Sequence, residues 1–169
     1  RIAEESGVTL LVLAKTGCPQ LFVPTRFTST MAPYRTCAPY SERVRDRLEA
    51  FAPNLIVTSY GDFSLASDPE RNLMHEADAM RSSVRWLLSV APVVYISPVP
   101  VQPLDPTDCL DTHRDDPRAC VADPDDPDTF PFAERDRMAL NGLAAYVVDP
   151  RILFCTGSTC PLVDSTGIV

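Results

Sequence analysis

The chain has 169 residues, of which 45% are hydrophobic and 22% are charged, and its net charge is −8. This length is sufficient for one compact domain with a buried core. The longest apolar runs, Val8–Ala14 and Val90–Ile96, fall far short of the roughly 18 residues that cross a bilayer. The acidic balance, without a stripe of Lys and Arg, argues against nucleic acid as a partner.

Four short apolar segments separated by helical patterns predict a parallel sheet. The predicted strands are Val8–Leu13, Asn54–Ser59, Val93–Ser97 and Ala145–Asp149. The first is short, apolar and in part β-branched, which is typical of a strand buried on both faces. The predicted helices are Ser41–Ala50, a long helix capped by Asp68-Pro69 that ends near Val90, and Pro131–Leu143. Because crossovers between parallel strands are right-handed, the fold class is an α/β three-layer sandwich with helices on both faces.

The residues before the first predicted strand resemble the end of a helix. Arg1–Ser6 carries a helical composition, and Gly7 follows as a C-terminal glycine. We therefore expect the domain to begin before this sequence.

The six cysteines form three local couples in Pro-, Thr- or Asp-rich connections. Many pairings are open to six thiols, and we predict that each cysteine pairs with its nearest neighbour: Cys18–Cys37, Cys109–Cys120 and Cys155–Cys160. Zinc is the alternative, but its usual Cys-x2-Cys spacing is missing, and we expect His75 and His113 to lie away from the sulfur atoms. We predict no metal and no cofactor. Disulfides indicate an oxidising, extracytoplasmic compartment.

Long connections are predicted between the regular elements. The segment from Thr16 to Pro39 is rich in Pro and Thr, and Pro98–Asp128 forms a second loop. Asp105–Asp128 holds nine Asp, which raises a calcium hypothesis. An EF-hand requires a glycine and a glutamate at fixed positions, and prolines interrupt this run. We therefore expect a solvated surface loop tethered by a disulfide.

Ligands of an open parallel sheet bind beyond the carboxyl ends of its strands. Four turns meet this condition: Lys15–Cys18, Ser59–Asp62, Pro98–Pro100 and Asp149–Arg151. Gly17 and Gly61 can each aim backbone N–H groups at an oxyanion. The alternative is that both glycines only supply a positive φ in a tight turn. Ser59, Tyr60 and Asp62 are candidates for substrate binding, with Asp62 alternatively a turn residue.

A complete nucleophile, base and orienting acid is not visible in this sequence. His75 lies in the long helix near Arg71 and Asp78, where we expect a solvated or capping side chain. His113 lies in the Asp-rich loop, and we expect it to be exposed. Ser29, Ser59 and Ser97 have no partner base that the sequence identifies.

The order of several short blocks points to a known family. The blocks are Lys-Thr-Gly-Cys-Pro from Lys15, Pro-Asn-Leu-Ile-Val-Thr-Ser from Pro53, Asp149-Pro150 before Leu153-Phe154-Cys155, and Cys160-Pro161. In these blocks the chain resembles the SGNH (GDSL-type) domain fused to bacterial membrane acyltransferases of the acyltransferase-3 family. The resemblance implies a flavodoxin-like sandwich outside the cytoplasm, tethered by an upstream transmembrane acyltransferase domain. It also implies an acyl donor and a carbohydrate acceptor, with acyl groups moved onto envelope polysaccharide or glycolipid.

The resemblance assigns site residues one by one. The nucleophilic Ser of this family stands in a Gly-Asp-Ser-His block that falls before Arg1, and the Asp-x-x-His block falls after Val169. Gly17 matches the oxyanion glycine, and Gly61 stands where the family carries an Asn amide. The alternative function is a non-catalytic module that binds glycan or positions the membrane domain. Because the nucleophile strand lies mid-sheet, we expect a neighbouring segment to fill its place or the polypeptide to be longer.

Overall fold

The structure is a computed structural model that describes residues 5–27, 30–68, 70–101, 105–164 and 167–168. In chain order the elements are β1 (Thr25–Arg26), α1 (Cys37–Phe51), β2 (Ile56–Thr58), β3 (Ser64–Leu65), α2 (Leu73–Val90), β4 (Val93–Ile96), α3 (Pro106–Thr112), a 3-10 turn (Pro117–Ala119), β5 (Val121–Ala122), α4 (Ala133–Leu140), β6 (Tyr146–Val148), α5 (Arg151–Phe154), β7 (Cys160–Pro161), β8 (Val163–Asp164) and β9 (Gly167–Ile168). No helix within these ranges has the length and hydropathy of a membrane span.

The main sheet is parallel, with strand order β2-β4-β6. Ile56 pairs with Val93, and Val94 pairs with Tyr146. Helix α2 lies between β2 and β4 along the chain, and α4 lies between β4 and β6. This arrangement confirms the α/β fold class with a parallel sheet flanked by helices. Three further strand pairs, β1-β3, β5-β7 and β8-β9, are short and antiparallel.

One face of the sheet packs against the helices, and successive residues of the central strand β4 alternate between that buried face and the opposite one. Val93 and Tyr95 point into the core, where they meet side chains of α1, α2 and α4. Two clusters of buried residues form this core. The cluster around Tyr95 contains Leu21, Tyr60, Phe63, Leu65, Ala77, Met80, Val84 and Ala139, and the cluster around Val93 contains Val44, Leu48, Ile56, Leu87 and Ala91. Val57 and Tyr146 lie on the opposite face and are 58% and 70% exposed.

The prediction of a strand at Val8–Leu13 is wrong for this structure. The segment has no regular structure, and Val8, Leu10 and Val12 are exposed while Leu13 packs partly against the core. A strand requires a neighbour that accepts its backbone hydrogen bonds. Within the described ranges nothing pairs with these residues, so an apolar sequence alone does not make them a strand.

Helix α2 begins later than Asp68. Its N-cap is Asn72, whose side-chain oxygen accepts the backbone N–H groups of Met74 and His75 at 2.9 and 3.4 Å. Arg71 has φ +60°, which interrupts any helix upstream of it. Asp68 instead accepts the backbone N–H of Asn72 at 2.8 Å. Pro69 and Arg1–Glu4 lie outside the described residues.

The other helices differ from prediction at their ends, and one was missed. Helix α1 begins at Cys37 and α4 ends at Leu140. Helix α3 lies inside the predicted Pro98–Asp128 loop. Asp105 caps it by accepting the N–H groups of Thr107 and Asp108, and a proline occupies its first turn.

The three predicted disulfides are confirmed. They join Cys18 to Cys37, Cys109 to Cys120, and Cys155 to Cys160. Pairing of β5 with β7 brings the second and third bridges together, because Ala122 pairs with Cys160 and the Cys120 carbonyl accepts the Leu162 N–H at 2.9 Å. The loops at this end of the molecule are therefore held by covalent and strand contacts.

Candidate functional site

The turn after β2 is held by a buried arginine that the sequence analysis missed. Arg135, on α4, is fully buried and donates to the carbonyl oxygen atoms of Tyr60 and Gly61 at 3.0 and 2.9 Å. Its guanidinium also donates twice to the Asp136 carboxylate, at 3.0 and 2.7 Å. The fork of the guanidinium thus binds two successive carbonyls and one carboxylate.

The two held carbonyls determine where the neighbouring N–H groups point. In a trans peptide the C=O and the following N–H point in opposite directions, and none of the peptide bonds described is cis. With the Tyr60 and Gly61 carbonyls directed at Arg135, the N–H groups of Gly61 and Asp62 therefore point away from it. Both residues are exposed. Two adjacent backbone donors thus face outward at the carboxyl edge of the sheet.

Arg135 lies between two aromatic rings and beside a buried acid. Its guanidinium carbon is 4.5 Å from the ring centre of Phe63 and 4.8 Å from that of Phe132. The Asp136 carboxylate also accepts the Tyr95 O–H at 2.5 Å. Burial raises the pKa of Asp136, although the positive charge of Arg135 acts to lower it. Burial also raises the pKa of Tyr95, and the negative charge of Asp136 adds to that increase. The cluster is closed to solvent and fixes the turn from within.

Helical spacing in the sequence distinguishes Arg135 from the exposed charged residues of α4. Charged residues crowd α4, so its sequence resembles a solvated helix face. Ala139, which is buried, lies four residues after Arg135 and therefore on the same side of the helix. Exposed Arg137 pairs with Glu134 on the outer side. Arg135 and Arg137 look alike in composition, but helical spacing places Arg135 on the buried side of α4 and Arg137 on the exposed side.

Gly17 and Gly61 differ in why they are glycine. Gly17 has φ +64° in a turn closed by the Cys18 N–H and the Lys15 carbonyl at 3.0 Å, so a positive φ is required there. Gly61 does not have a positive φ, and an added Cβ would meet no atom within 4 Å. A positive φ is therefore required at Gly17, and it is not the reason for the glycine at position 61. The space that a Cβ at position 61 would occupy is therefore open.

The candidate substrate-binding residues of the second turn fall into different environments. Ser59 is exposed, whereas the Tyr60 side chain is 1% exposed, so its phenol cannot contact a substrate as predicted. The pKa of Tyr60 is raised by burial. Asp62 is exposed and pairs with Arg71 at 2.5 Å, and the Arg71 Nε atom donates to buried Glu76 at 3.1 Å. Asp62 therefore anchors the turn to the start of α2.

Neither histidine completes a catalytic triad within the described ranges. His75 Nδ1 lies 2.9 Å from the Asp68 carboxylate, and its ring is 63% exposed, in agreement with a capping role. His113 is half-buried, not exposed, and its Nδ1 lies 3.1 Å from the Cys109 carbonyl and 3.8 Å from the Cys109 sulfur. No serine hydroxyl described is bonded to either ring. Among the described residues we therefore identify neither a catalytic base nor a nucleophile.

His113 also lies closer to sulfur than expected. Potential ligand atoms of Cys109, His113 and Cys120 lie within 4.8 Å of one another. The two sulfur atoms are bonded to each other, which removes the thiolates that zinc requires.

The Asp-rich segment uses several carboxylates within its own turns. Asp123 and Asp126 accept backbone N–H groups two residues further on, at 2.8 and 2.9 Å, and Asp111 pairs with Arg114. These contacts are typical of Asx turns. They support the interpretation as a solvated, tethered loop.

The other two predicted turns meet around one cavity. Ser97-Pro98-Val99 after β4 and Asp149-Pro150-Arg151 after β6 line a cavity of about 750 Å³. Phe130, Phe132 and Asp136 also line it, so the Arg135–Asp136 cluster lies between this cavity and the Gly61 turn. The carboxyl edge of the sheet thus carries the Gly61 turn, with its two outward N–H groups, and a cavity on the other side of Arg135.

Comparisons with known proteins agree with this architecture. A solved periplasmic domain of a lipopolysaccharide acetyltransferase from Salmonella ser. Paratyphi A is similar, with a TM-score of 0.64 and 12% identity, and the match covers 98% of this chain and 64% of that chain. This likeness shows the fold. No curated protein matches the chain. The family model described as the SGNH domain fused to AT3 domains matches residues 1–169. The chain therefore belongs to the family of SGNH domains that are fused to AT3 domains.

Proposed function

We propose that this chain is the extracytoplasmic domain of a membrane acyltransferase and that it handles the acyl ester during O-acyl transfer to an envelope polysaccharide or glycolipid. Three local disulfides support an oxidising compartment. Fusion of the family to AT3 domains supports a membrane acyltransferase as the partner domain. The periplasmic acetyltransferase domain of the same fold supports an acyl group and a glycolipid as substrates.

The observation that carries the proposal is the pair of N–H groups that Arg135 directs outward at Gly61 and Asp62. A nucleophile that attacks an acyl ester produces a tetrahedral oxyanion, and backbone donors fixed in advance stabilise it without reorganisation. Collapse of the intermediate releases the donor alcohol, and a sugar hydroxyl then accepts the acyl group. Gly17, in the turn that begins at Lys15, is proposed as a further donor. The Gly61 N–H takes the place of the Asn amide of the family.

The test removes one donor and compares it with a substitution that keeps it. Gly61→Pro deletes the N–H at that position, and Gly61→Ala retains it in the open space beside the glycine. In protein expressed with its natural flanking sequence, Gly61→Pro should lower kcat for acyl transfer by about 100- to 1000-fold. Gly61→Ala should stay close to wild type. Equal activity of the two variants, with both folded, contradicts the proposed oxyanion site.

A second candidate function is a glycan-binding module without turnover, which the cavity near Phe130 and Phe132 favours. Binding of saccharide together with no transfer from any acyl donor, in protein with both flanks present, supports this candidate. Transfer that depends on the Gly61 N–H supports the enzyme.

A further inference from the structure

We propose that the Cys109–Cys120 disulfide is the closed form of a zinc site, in which two thiolates and the His113 imidazole bind Zn²⁺ once a dithiol has reduced the bond. Potential ligand atoms of these three residues lie within 4.8 Å of one another. None of the three lines the cavity at the ends of β4 and β6. The inference uses no residue of the proposed acyl site and does not depend on that proposal.

The chemistry of the three side chains suits zinc. Two thiolates and one imidazole are soft and borderline donors, which favour zinc over calcium or magnesium. Three protein ligands leave the fourth position of a tetrahedron for water or a further donor. His113 is the C-cap of α3, one helical turn after Cys109, and its Nδ1 atom lies 3.8 Å from the Cys109 sulfur atom. The histidine is therefore already placed beside one of the sulfur ligands.

Opening the site is a balanced thiol–disulfide exchange. A dithiol reductant of the thioredoxin class gives two electrons and two protons to the S–S bond, which becomes two thiols, and the reductant leaves as a disulfide. Zinc then displaces the two thiol protons, which pass to solvent, and the histidine binds as the neutral imidazole. The protein thus holds either the disulfide or the ion.

Backbone contacts hold the two cysteines independently of the bond between them. Cys109 lies in α3, which Asp105 caps, and its carbonyl accepts the His113 N–H at 2.9 Å. The Cys120 carbonyl accepts the Leu162 N–H at 2.9 Å, and this contact belongs to the pairing of β5 with β7. The sulfur atoms therefore stay close after reduction, and an ion at an ordinary Zn–S distance of about 2.3 Å fits between them.

Burial and charge at the site also favour a cation. Cys109 and Cys120 are 8% and 2% exposed, and two thiolates at that depth need a bound cation to offset the loss of water. Exposed acidic side chains lie nearby in the sequence, at Asp108, Asp111 and Asp116. They are not counted as ligands, but a negative surface raises the local concentration of divalent cations.

His113 has an alternative role as a helix cap, and a substitution separates the two roles. Its Nδ1 atom lies 3.1 Å from the Cys109 carbonyl, a contact that closes the end of α3. Asparagine can make the same contact through its side-chain amide, but it is not among the usual ligands of zinc. His113→Asn therefore keeps the cap and removes the ligand, whereas His113→Cys supplies a different zinc ligand.

The experiment adds Zn²⁺ to the 169-residue chain before and after reduction with a phosphine, which is oxidised in place of the dithiol and does not compete as a thiol ligand. Native mass spectrometry counts the bound ions, and competition with a chromophoric chelator gives the affinity. We expect one ion in the reduced chain and none in the oxidised chain. Co²⁺ in place of Zn²⁺ should give the near-ultraviolet charge-transfer band of a thiolate-bound metal.

Variants of both histidines test the nitrogen ligand. His113→Asn should weaken zinc binding to the reduced chain by at least about tenfold, because the loss of a residue that only orients a ligand already costs that much. His113→Cys should restore tight binding. His75→Asn, at the other histidine of the chain, is the matched control and should leave the affinity unchanged.

Serine variants identify the sulfur ligands. Cys109→Ser should abolish tight binding to the reduced chain, whereas Cys155→Ser, in a different local pair, should not change it. If the reduced chain unfolds, zinc should restore its circular dichroism spectrum, because metal binding and folding are coupled. A reduced chain that binds no zinc or stays unfolded with it overturns the inference. Equal binding by the oxidised chain, by His113→Asn or by Cys109→Ser also overturns it.

Discussion

The phenol of Tyr60 donates a hydrogen bond of 3.0 Å to the carbonyl oxygen of Gln20. Tyr60 immediately precedes Gly61, and Gln20 lies three residues after Gly17. This contact ties the two glycine turns to each other through the core, although 40 residues separate its partners in sequence. A partly buried hydrogen bond therefore links the Gly61 turn to the segment that follows the Gly17 turn.

Loss of the Arg135 guanidinium should destabilise the fold strongly. Arg135→Met leaves the buried Asp136 carboxylate and the Tyr60 and Gly61 carbonyls without their partner, and we expect a loss of about 3–5 kcal/mol. Urea unfolding followed by circular dichroism measures it. Arg137→Met is the control on the same helix, because its ion pair with Glu134 is exposed and contributes little. A similar effect of both substitutions would contradict the assigned role of Arg135.

Alanine at the two glycines should act in opposite directions. Gly17→Ala forces a side chain into φ +64°, so we expect a loss of about 1 kcal/mol. Gly61→Ala enters open space without a positive φ, so it should be neutral or stabilise by up to about 1 kcal/mol through the unfolded chain. Thermal unfolding of the matched pair checks the sign of each effect. Destabilisation at both positions would show that the Gly61 backbone is strained.

Stability should fall in alkaline solution because of two buried phenols. Burial raises the pKa of Tyr60 and of Tyr95, so above about pH 10 the unfolded chain releases protons that the folded chain retains. Each phenol therefore lowers the free energy of unfolding by about 1.4 kcal/mol per pH unit above that value, and its contribution is fully present below it. Urea midpoints measured across this range test the slope.

The tyrosine variants identify the source of that slope. Tyr60→Phe and Tyr95→Phe should each flatten the pH dependence, whereas Tyr146→Phe, which removes a phenol from an exposed side chain, should not. An unchanged slope in all three variants would assign the alkaline transition to other groups.

The outer face of the sheet should make the isolated 169-residue chain self-associate. Val57 and Tyr146 are exposed on it, and β2 pairs only with β4 within the described ranges. Exposed apolar strand surfaces promote association. Val57→Lys should lower the average mass seen by light scattering at high concentration, and Glu49→Lys on α1 is the control. A monomer at every concentration would contradict this prediction.

Local patterns in the sequence predicted much of the fold. Strands β2 and β4 and helix α1 follow from their apolar residues, because each buries some of them against a partner that is present. Strand β6 was also predicted from its apolar run, and it forms by pairing with β4 although Tyr146 and Val147 stay exposed. Val8–Leu13 has the same kind of composition and fails as a strand, since strand formation requires a hydrogen-bonding neighbour that composition does not supply. The start of α2 was misassigned for a related reason, because Asp68 bonds to Asn72 and His75 instead of capping the first turn.

The candidate site was only partly accessible to sequence reasoning. The topology of a parallel sheet identified the turns after β2, β4 and β6 at its carboxyl edge, and two of them line the cavity. The fourth predicted turn, Lys15–Cys18, follows Val8–Leu13, which is not a strand of the sheet. The role of Arg135 was not predicted, because its partners at Tyr60 and Gly61 are backbone atoms 75 and 74 residues away. Every residue carries a backbone carbonyl, so a sequence does not indicate which carbonyls a distant side chain binds. Contacts of this kind become visible only when the chain is folded.

The pairing of the cysteines has a consequence for biogenesis. The cysteines pair in chain order, the first with the second, the third with the fourth and the fifth with the sixth, with separations of 19, 11 and 5 residues. A polypeptide that emerges from its amino end into an oxidant therefore meets every correct sulfur partner before any incorrect one. Oxidation in order of appearance yields the native set, and maturation does not require an isomerase to reshuffle mispaired bonds.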